Sequence, residues 1–134
     1  MGNVFVLNRR RVFTLGEATE LLPVIRRITD DYNSRVQALI NLLESVRDRD
    51  QARARDIEAK INFIVEEWQT KIEKLGAEGK GLWLVDFDSG TGYYCWKYPE
   101  ERLEHFHSYT EGFQARVKIS KEMARQVALS PLTH

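Results

Sequence analysis

The chain has 134 residues, and its 20 basic and 20 acidic side chains give a formal net charge of zero. This length predicts one domain over residues 1–134, and the neutral balance argues against a dedicated nucleic-acid-binding protein. A single cysteine excludes an internal disulfide and an all-cysteine zinc site. No apolar stretch approaches the length of a membrane span, and we expect no signal peptide, because residues 1–7 carry no basic side chain before their apolar run. We therefore expect a cytoplasmic protein with no membrane partner.

The first predicted elements are an extended arm and the start of a helix. Residues 3–13 contain two short β-prone runs around three arginines, which we interpret as a short strand or arm with a solvated turn. Thr14 and Glu17 have the spacing of a capping box, so a helix should begin here. Pro23 lies inside that helix and should kink it or loosen its first turns, because it lacks a backbone donor.

A long apolar seam follows at alternating spacings of four and three residues. Its only clearly polar member is Thr29, and the helix should continue to about residue 49. The seam is coiled-coil-like, and it consists of Ala18, Leu22, Ile25, Thr29, Tyr32, Val36, Leu39, Leu43 and Val46. Further apolar residues beside the seam widen the stripe, which predicts that the helix packs against more than one partner.

The next question is whether the chain turns or continues as one helix. Residues 47–56 contain no large apolar side chain, and the seam resumes at Ile57 and continues to Leu75. No Gly or Pro enforces a turn, so one continuous helix to about residue 75 remains the alternative. We favour an antiparallel helical hairpin over 14–76, since its two apolar faces can cover each other within one chain.

The C-terminal half has the short periodicity of β-structure. Residues 76–81 read as a loop, without the spacing of a phosphate-binding loop. Strands are predicted over 82–87, 93–98 and 103–109, with an extended segment at 116–119. A short helix or tail over 120–130 completes the chain. The fold class is therefore α+β, with the helical hairpin packed against a small antiparallel β-sheet over 82–119.

Several of these segments together resemble an uncharacterised bacterial family, the domain-of-unknown-function family numbered 2203. The resemblance covers residues 12–119. It rests on the opening Phe13–Pro23 and on Leu84–Phe87, Cys95–Trp96, Glu100, Phe106–His107 and Gly112–Arg116. Three positions depart from the family pattern: Pro99 and Ala115 replace Gly, and Phe106 replaces Trp. The resemblance implies a shared fold and no assigned activity.

Most of the residues suited to chemistry lie in the β region. His105 and His107 are two residues apart, so they share one face of a strand. With a carboxylate from Glu100 or Asp86 they form a candidate site for a divalent metal such as zinc or iron, with Cys95 as a fourth ligand. The alternative is that Cys95 is a small buried core residue and that no metal binds.

Two further interpretations use the same set of side chains. Cys95 could act as a nucleophile with His107 as its base and a carboxylate to orient it. In a purely structural interpretation, Asp86, His107 and Arg116 form a hydrogen-bonded network, and Arg116 makes a bidentate pair with Asp86 or Glu100. The candidate catalytic residues are thus His107, Cys95, Glu100 and Arg116, and the structural network is the favoured interpretation.

The wide apolar stripe leads to the functional expectation. We expect a non-catalytic binding module that self-associates, most simply as a homodimer that forms a four-helix bundle, with no nucleic acid bound. The alternative is a small metal-dependent or ligand-binding enzyme whose site lies on the C-terminal β region.

Overall fold

A computed structural model describes residues 11–120 of the chain. Two helices, α1 (Leu15–Val46) and α2 (Gln51–Lys74), precede five short strands. The strands form one antiparallel sheet, so the predicted α+β fold is confirmed. Most of the predicted arm over 3–13 and of the final helix over 120–130 lies outside the described residues.

Helix α1 begins as the capping box predicts. The Glu17 amide donates to the Thr14 hydroxyl over 3.0 Å, and the Thr14 amide donates to the Glu17 carboxylate over 2.9 Å. All nine seam positions are buried or half-buried. Pro23 does not interrupt the helix. It removes only the hydrogen bond to the carbonyl of Thr19, an exposed residue whose carbonyl can turn to solvent.

The chain turns between the two helices, so the hairpin is confirmed and the continuous helix is wrong. Helix α1 ends at Val46, three residues before the expected end, and α2 starts after Asp50. The Asp50 carboxylate accepts a hydrogen bond of 3.0 Å from the Arg53 amide. An N-cap carboxylate therefore makes the turn without Gly or Pro.

The sheet contains one strand more than the sequence predicts. Its strands lie in chain order: β1 (Glu78–Lys80), β2 (Leu84–Asp88), β3 (Tyr93–Lys97), β4 (His105–His107) and β5 (Val117–Lys118). Strand β1 falls in the segment predicted as a loop, because its central residue is Gly79 and two further glycines, Gly76 and Gly81, lie just outside its ends. Gly79 lies against α2, where a Cβ would be 2.9 Å from the Trp68 ring.

The two faces of the sheet have different surroundings. One face carries Val85, Phe87, Tyr94 and Trp96, which join the core made by the helices. A smaller cluster of Leu43, Ala54 and Ile57 lies near the turn of the hairpin and contains residues of the helices alone. The opposite face of the sheet, called the outer face below, carries most of the candidate site residues. No helix within residues 11–120 is long and apolar enough to cross a membrane.

Candidate functional site

Three buried polar side chains meet on the outer face of the sheet. Asp86 in β2 lies directly opposite Cys95 in β3. His107 in β4 lies opposite Tyr93, two residues before Cys95, and so points to the same face. One ligand-type atom of each of the three lies within 4.8 Å of the others. We call Asp86, Cys95 and His107 the polar triad.

The hydrogen bonds of His107 fix the orientation of its ring. Its Nδ1 is 2.8 Å from the carbonyl oxygen of Ser108, and because a carbonyl can only accept, Nδ1 is the donor in this bond. Its Nε2 is 3.1 Å from Asp86 Oδ1. The imidazole is therefore held at both nitrogens, with Nε2 directed into the triad.

Cys95 is a fully buried thiol rather than a reactive thiolate. Burial, reinforced by the charge of Asp86 and a hydrogen bond to it, raises the pKa of the thiol to about 12. The Arg116 guanidinium lies beside the sulfur and opposes this shift. Nucleophilic cysteines are accessible and have a lowered pKa. The geometry therefore does not favour Cys95 as a nucleophile with His107 as its base.

Arg116 and Glu100 form the bidentate pair expected for one of two partners. Nη1 donates to Oε1 over 3.0 Å and Nη2 donates to Oε2 over 2.5 Å. Glu100 also accepts from the Lys97 amide over 2.8 Å. Partial burial opposes ionisation of Glu100, but the hydrogen bonds from Arg116 and Lys97 lower its pKa. The bond to Glu100 raises the pKa of Arg116, whose guanidinium also lies over the Phe113 ring.

The structure divides the predicted metal ligands into two groups. Asp86, His107 and Cys95 form the triad, whereas His105 lies beside Glu100, with Nδ1 3.9 Å from Oε2. The catalytic candidates Cys95 and His107 are in the triad, and Arg116 links it to Glu100. Asp86, His107 and Arg116 thus belong to one connected outer face, with Arg116 paired to Glu100 rather than to Asp86.

Sequence reasoning missed the groups around the triad. The Ser108 carbonyl fixes the His107 ring. Tyr109 packs edge-on against Tyr93 at 5.1 Å between ring centroids and donates to Asp88 over 2.6 Å. A backbone carbonyl has no signature in the sequence. Tyr109 ends the predicted third strand, but alternation alone does not identify its partner.

The sequence was compared with protein families, curated proteins and solved structures. The family described as "Uncharacterized conserved protein (DUF2203)" matches residues 11–119. The chain belongs to DUF2203. The searches of curated proteins and of solved structures found no match.

The DUF2203 resemblance and the outer face of the sheet coincide in space. Asp86, Cys95, Glu100, His107 and Arg116 all lie in the stretches that carry the resemblance, and the structure joins them in the triad and the adjoining ion pair. His105 lies outside those stretches and outside the triad. The outer face around Cys95 is therefore where the DUF2203 chain brings its candidate catalytic and metal-binding side chains together.

Proposed function

We propose that this protein is a non-catalytic binding module that self-associates through its helical hairpin as a homodimer. The observation that carries the proposal is an apolar surface on the hairpin. Phe63 in α2 is 63% exposed and lines an open groove of about 340 Å³ together with Leu39, Ala59 and Ile64. An exposed aromatic ring beside an apolar groove is typical of an interaction site.

The hairpin near this groove has a thin core of its own. The second cluster buries Leu43, Ala54 and Ile57, and its half-buried neighbours are residues of the same two helices. The five strands contribute nothing to this cluster. A further layer of helix would cover the apolar surface that two helices leave open, and a second hairpin supplies such a layer in a four-helix bundle.

The charges beside the groove suit a second copy of the same chain. Asp56 and Lys60 are one turn apart on α2, with Nζ 3.5 Å from the carboxylate, and both line the groove. In a two-fold dimer whose α2 helices pack antiparallel, the residues of one helix face those of the other in reversed order. Asp56 of one copy then faces Lys60 of the partner subunit, and Phe63 of each copy packs against the other hairpin.

The mass of the native particle tests this proposal. Light scattering of the full chain over a range of concentrations should give a dimer, and Phe63→Glu should give a monomer with unchanged circular dichroism. The matched control is Leu82→Glu, which places the same charge at an apolar residue that is 52% exposed and outside the hairpin. A monomeric wild-type protein, or an equal loss of dimer in both variants, would contradict the proposal.

A charge exchange tests the orientation of the two copies. Asp56→Lys alone places like charges across the proposed interface and should weaken the dimer. Adding Lys60→Asp to that variant exchanges the two charges and should restore it. If the double variant forms a weaker dimer than the single one, the antiparallel pairing of Asp56 with Lys60 is wrong even if a dimer forms.

A further inference from the structure

The polar triad is not used by the proposed interface and requires an explanation of its own. Asp86 and His107 are buried and Cys95 is fully buried. Burying a carboxylate, an imidazole and a thiol costs free energy, and here the contacts of Asp86 with His107 and Cys95 offset part of that cost. The triad combines a hard oxygen donor, an imidazole nitrogen and a soft sulfur, which is a donor set that proteins use for transition metals.

We propose that Asp86, Cys95 and His107 bind one divalent transition metal ion, for which Zn²⁺ is the best fit. The three side chains come from three neighbouring strands and converge on one face of the sheet. Metal–ligand bonds of about 2.0–2.3 Å in a tetrahedron place the donor atoms roughly 3.3–3.8 Å apart. The donor atoms already lie within 4.8 Å of one another, so small side-chain rotations are sufficient.

The orientation of His107 is that of a histidine ready to bind a metal. Metal-binding histidines usually donate their second ring N–H to a carboxylate or a backbone carbonyl, which fixes the tautomer. His107 donates from Nδ1 to the Ser108 carbonyl over 2.8 Å. This bond leaves Nε2 as the metal-binding nitrogen, and Nε2 is the atom directed at Asp86 Oδ1.

The charges of the triad balance those of a dication. A thiolate, a carboxylate and a neutral imidazole together carry two negative charges, so a bound dication gives zero net charge, and the protons that it displaces pass to solvent. Arg116 adds no unpaired positive charge, because Glu100 neutralises it through two hydrogen bonds.

The donor types and the burial indicate the kind of metal and its role. A thiolate and an imidazole favour Zn²⁺ over Mg²⁺ or Ca²⁺, which prefer oxygen ligands. The triad supplies three ligands of a tetrahedral ion, and a water molecule is the expected fourth. Because all three ligands are buried, the ion would join β2, β3 and β4 and stabilise the sheet rather than act on a substrate.

Titration of the metal-depleted, tag-free full chain tests the site. Zn²⁺, measured in competition with a chromophoric chelator, should bind at one ion per chain. Cys95→Ser and His107→Gln should each lower the affinity by more than about 100-fold, since even partners outside the ligand set change it by about 10–100-fold. The matched control is His105→Gln, two residues from His107 but outside the triad, and it should bind Zn²⁺ like the wild-type protein.

A cobalt spectrum provides a second readout that needs no variant to fold. Co²⁺ bound to a thiolate has a sulfur-to-metal charge-transfer band, and Cys95 is the single cysteine of the chain. The wild-type Co²⁺ complex should therefore show this band. The proposal is overturned if wild-type protein binds no Zn²⁺, if Co²⁺ binds without the band, or if His105→Gln weakens binding as much as His107→Gln.

Discussion

The ionised carboxylate of Glu100 should stabilise the fold. Its carboxylate accepts two hydrogen bonds from Arg116 and one from the Lys97 amide. Hydrogen bonds to charged groups contribute about 1.5–3 kcal/mol. At neutral pH, Glu100→Gln should therefore lower the free energy of unfolding by about 1–3 kcal/mol in urea denaturation. The matched control is Glu101→Gln, an exposed neighbour, which should change it by less than about 0.5 kcal/mol.

The same substitution should change how stability depends on pH. The pKa of Glu100 is lower in the folded chain than its ordinary value of 4.5, so the folded state binds this proton less readily than the unfolded state. The stabilisation is complete above the ordinary pKa and is lost as the pH falls through the folded value. As the pH decreases below about 5, the free energy of unfolding of Glu100→Gln should thus fall less steeply than that of the wild-type protein. Parallel pH curves for the two proteins would contradict this assignment.

The histidine pair illustrates what the sequence can predict about single residues. The spacing of His105 and His107 places both on one strand face, and the structure agrees. The spacing alone does not indicate that His107 contacts Asp86 while His105 lies beside Glu100, because these contacts depend on the pairing register of three strands. The register between β2 and β3 follows from the turn at residues 89–92, where the Ser89 amide donates to the Gly92 carbonyl over 2.8 Å, and the register of β4 depends on the separate connection from β3. Turn composition predicts a hairpin but does not fix the register.

Among the elements, the helical hairpin depends on one buried polar contact. The Thr29 hydroxyl donates to the Ile25 carbonyl over 2.8 Å and accepts from Trp68 Nε1 over 2.9 Å. Thr29→Val keeps the shape but leaves a buried indole N–H without a partner. It should destabilise the protein by about 1–3 kcal/mol in denaturant unfolding.

Thr29→Ser is the matched variant for this prediction, because it keeps the hydroxyl and removes only a methyl group. It should cost about 1 kcal/mol from the smaller side chain, and the tryptophan fluorescence of the protein should stay close to that of wild type. If Thr29→Val is as stable as Thr29→Ser, the hydroxyl–indole bond contributes little to the packing of the helices. The sequence identifies Thr29 as the polar member of the seam, but not its partner on the second helix.

The elements differ in how strongly their residues specify them. Helix α1 follows from its capping box and from nine seam positions that agree with one another, so even Pro23 does not end it. The turn of the hairpin has a signal that the apolar pattern hides, namely an aspartate at position 50 able to cap the following helix. Strand β1 has no such signal. Its position depends on close packing of Gly79 against Trp68, a contact that forms only in the folded chain.

For the whole molecule, the two core clusters imply unequal local stability. The main cluster combines both helices with the sheet, whereas the cluster of Leu43, Ala54 and Ile57 contains helix residues alone. Segments with fewer buried apolar contacts open more often and exchange their amide hydrogens faster. In dilute solution, amides of residues 43–57 should therefore exchange faster than those of α1 between Leu22 and Val36.

If the hairpin forms the dimer interface, a higher protein concentration should reduce this difference in amide exchange rate. A second copy on the groove around Phe63 would cover this end of the hairpin, and binding protects what it covers. Hydrogen exchange by mass spectrometry at increasing protein concentration should show added protection at residues 39–64 and little change in the sheet. Phe63→Glu should abolish that concentration dependence while Leu82→Glu preserves it. Added protection in the strands instead would show that the interface lies on the sheet. Exchange that does not change with concentration anywhere would show that residues 39–64 remain exposed and that the proposed dimer does not form.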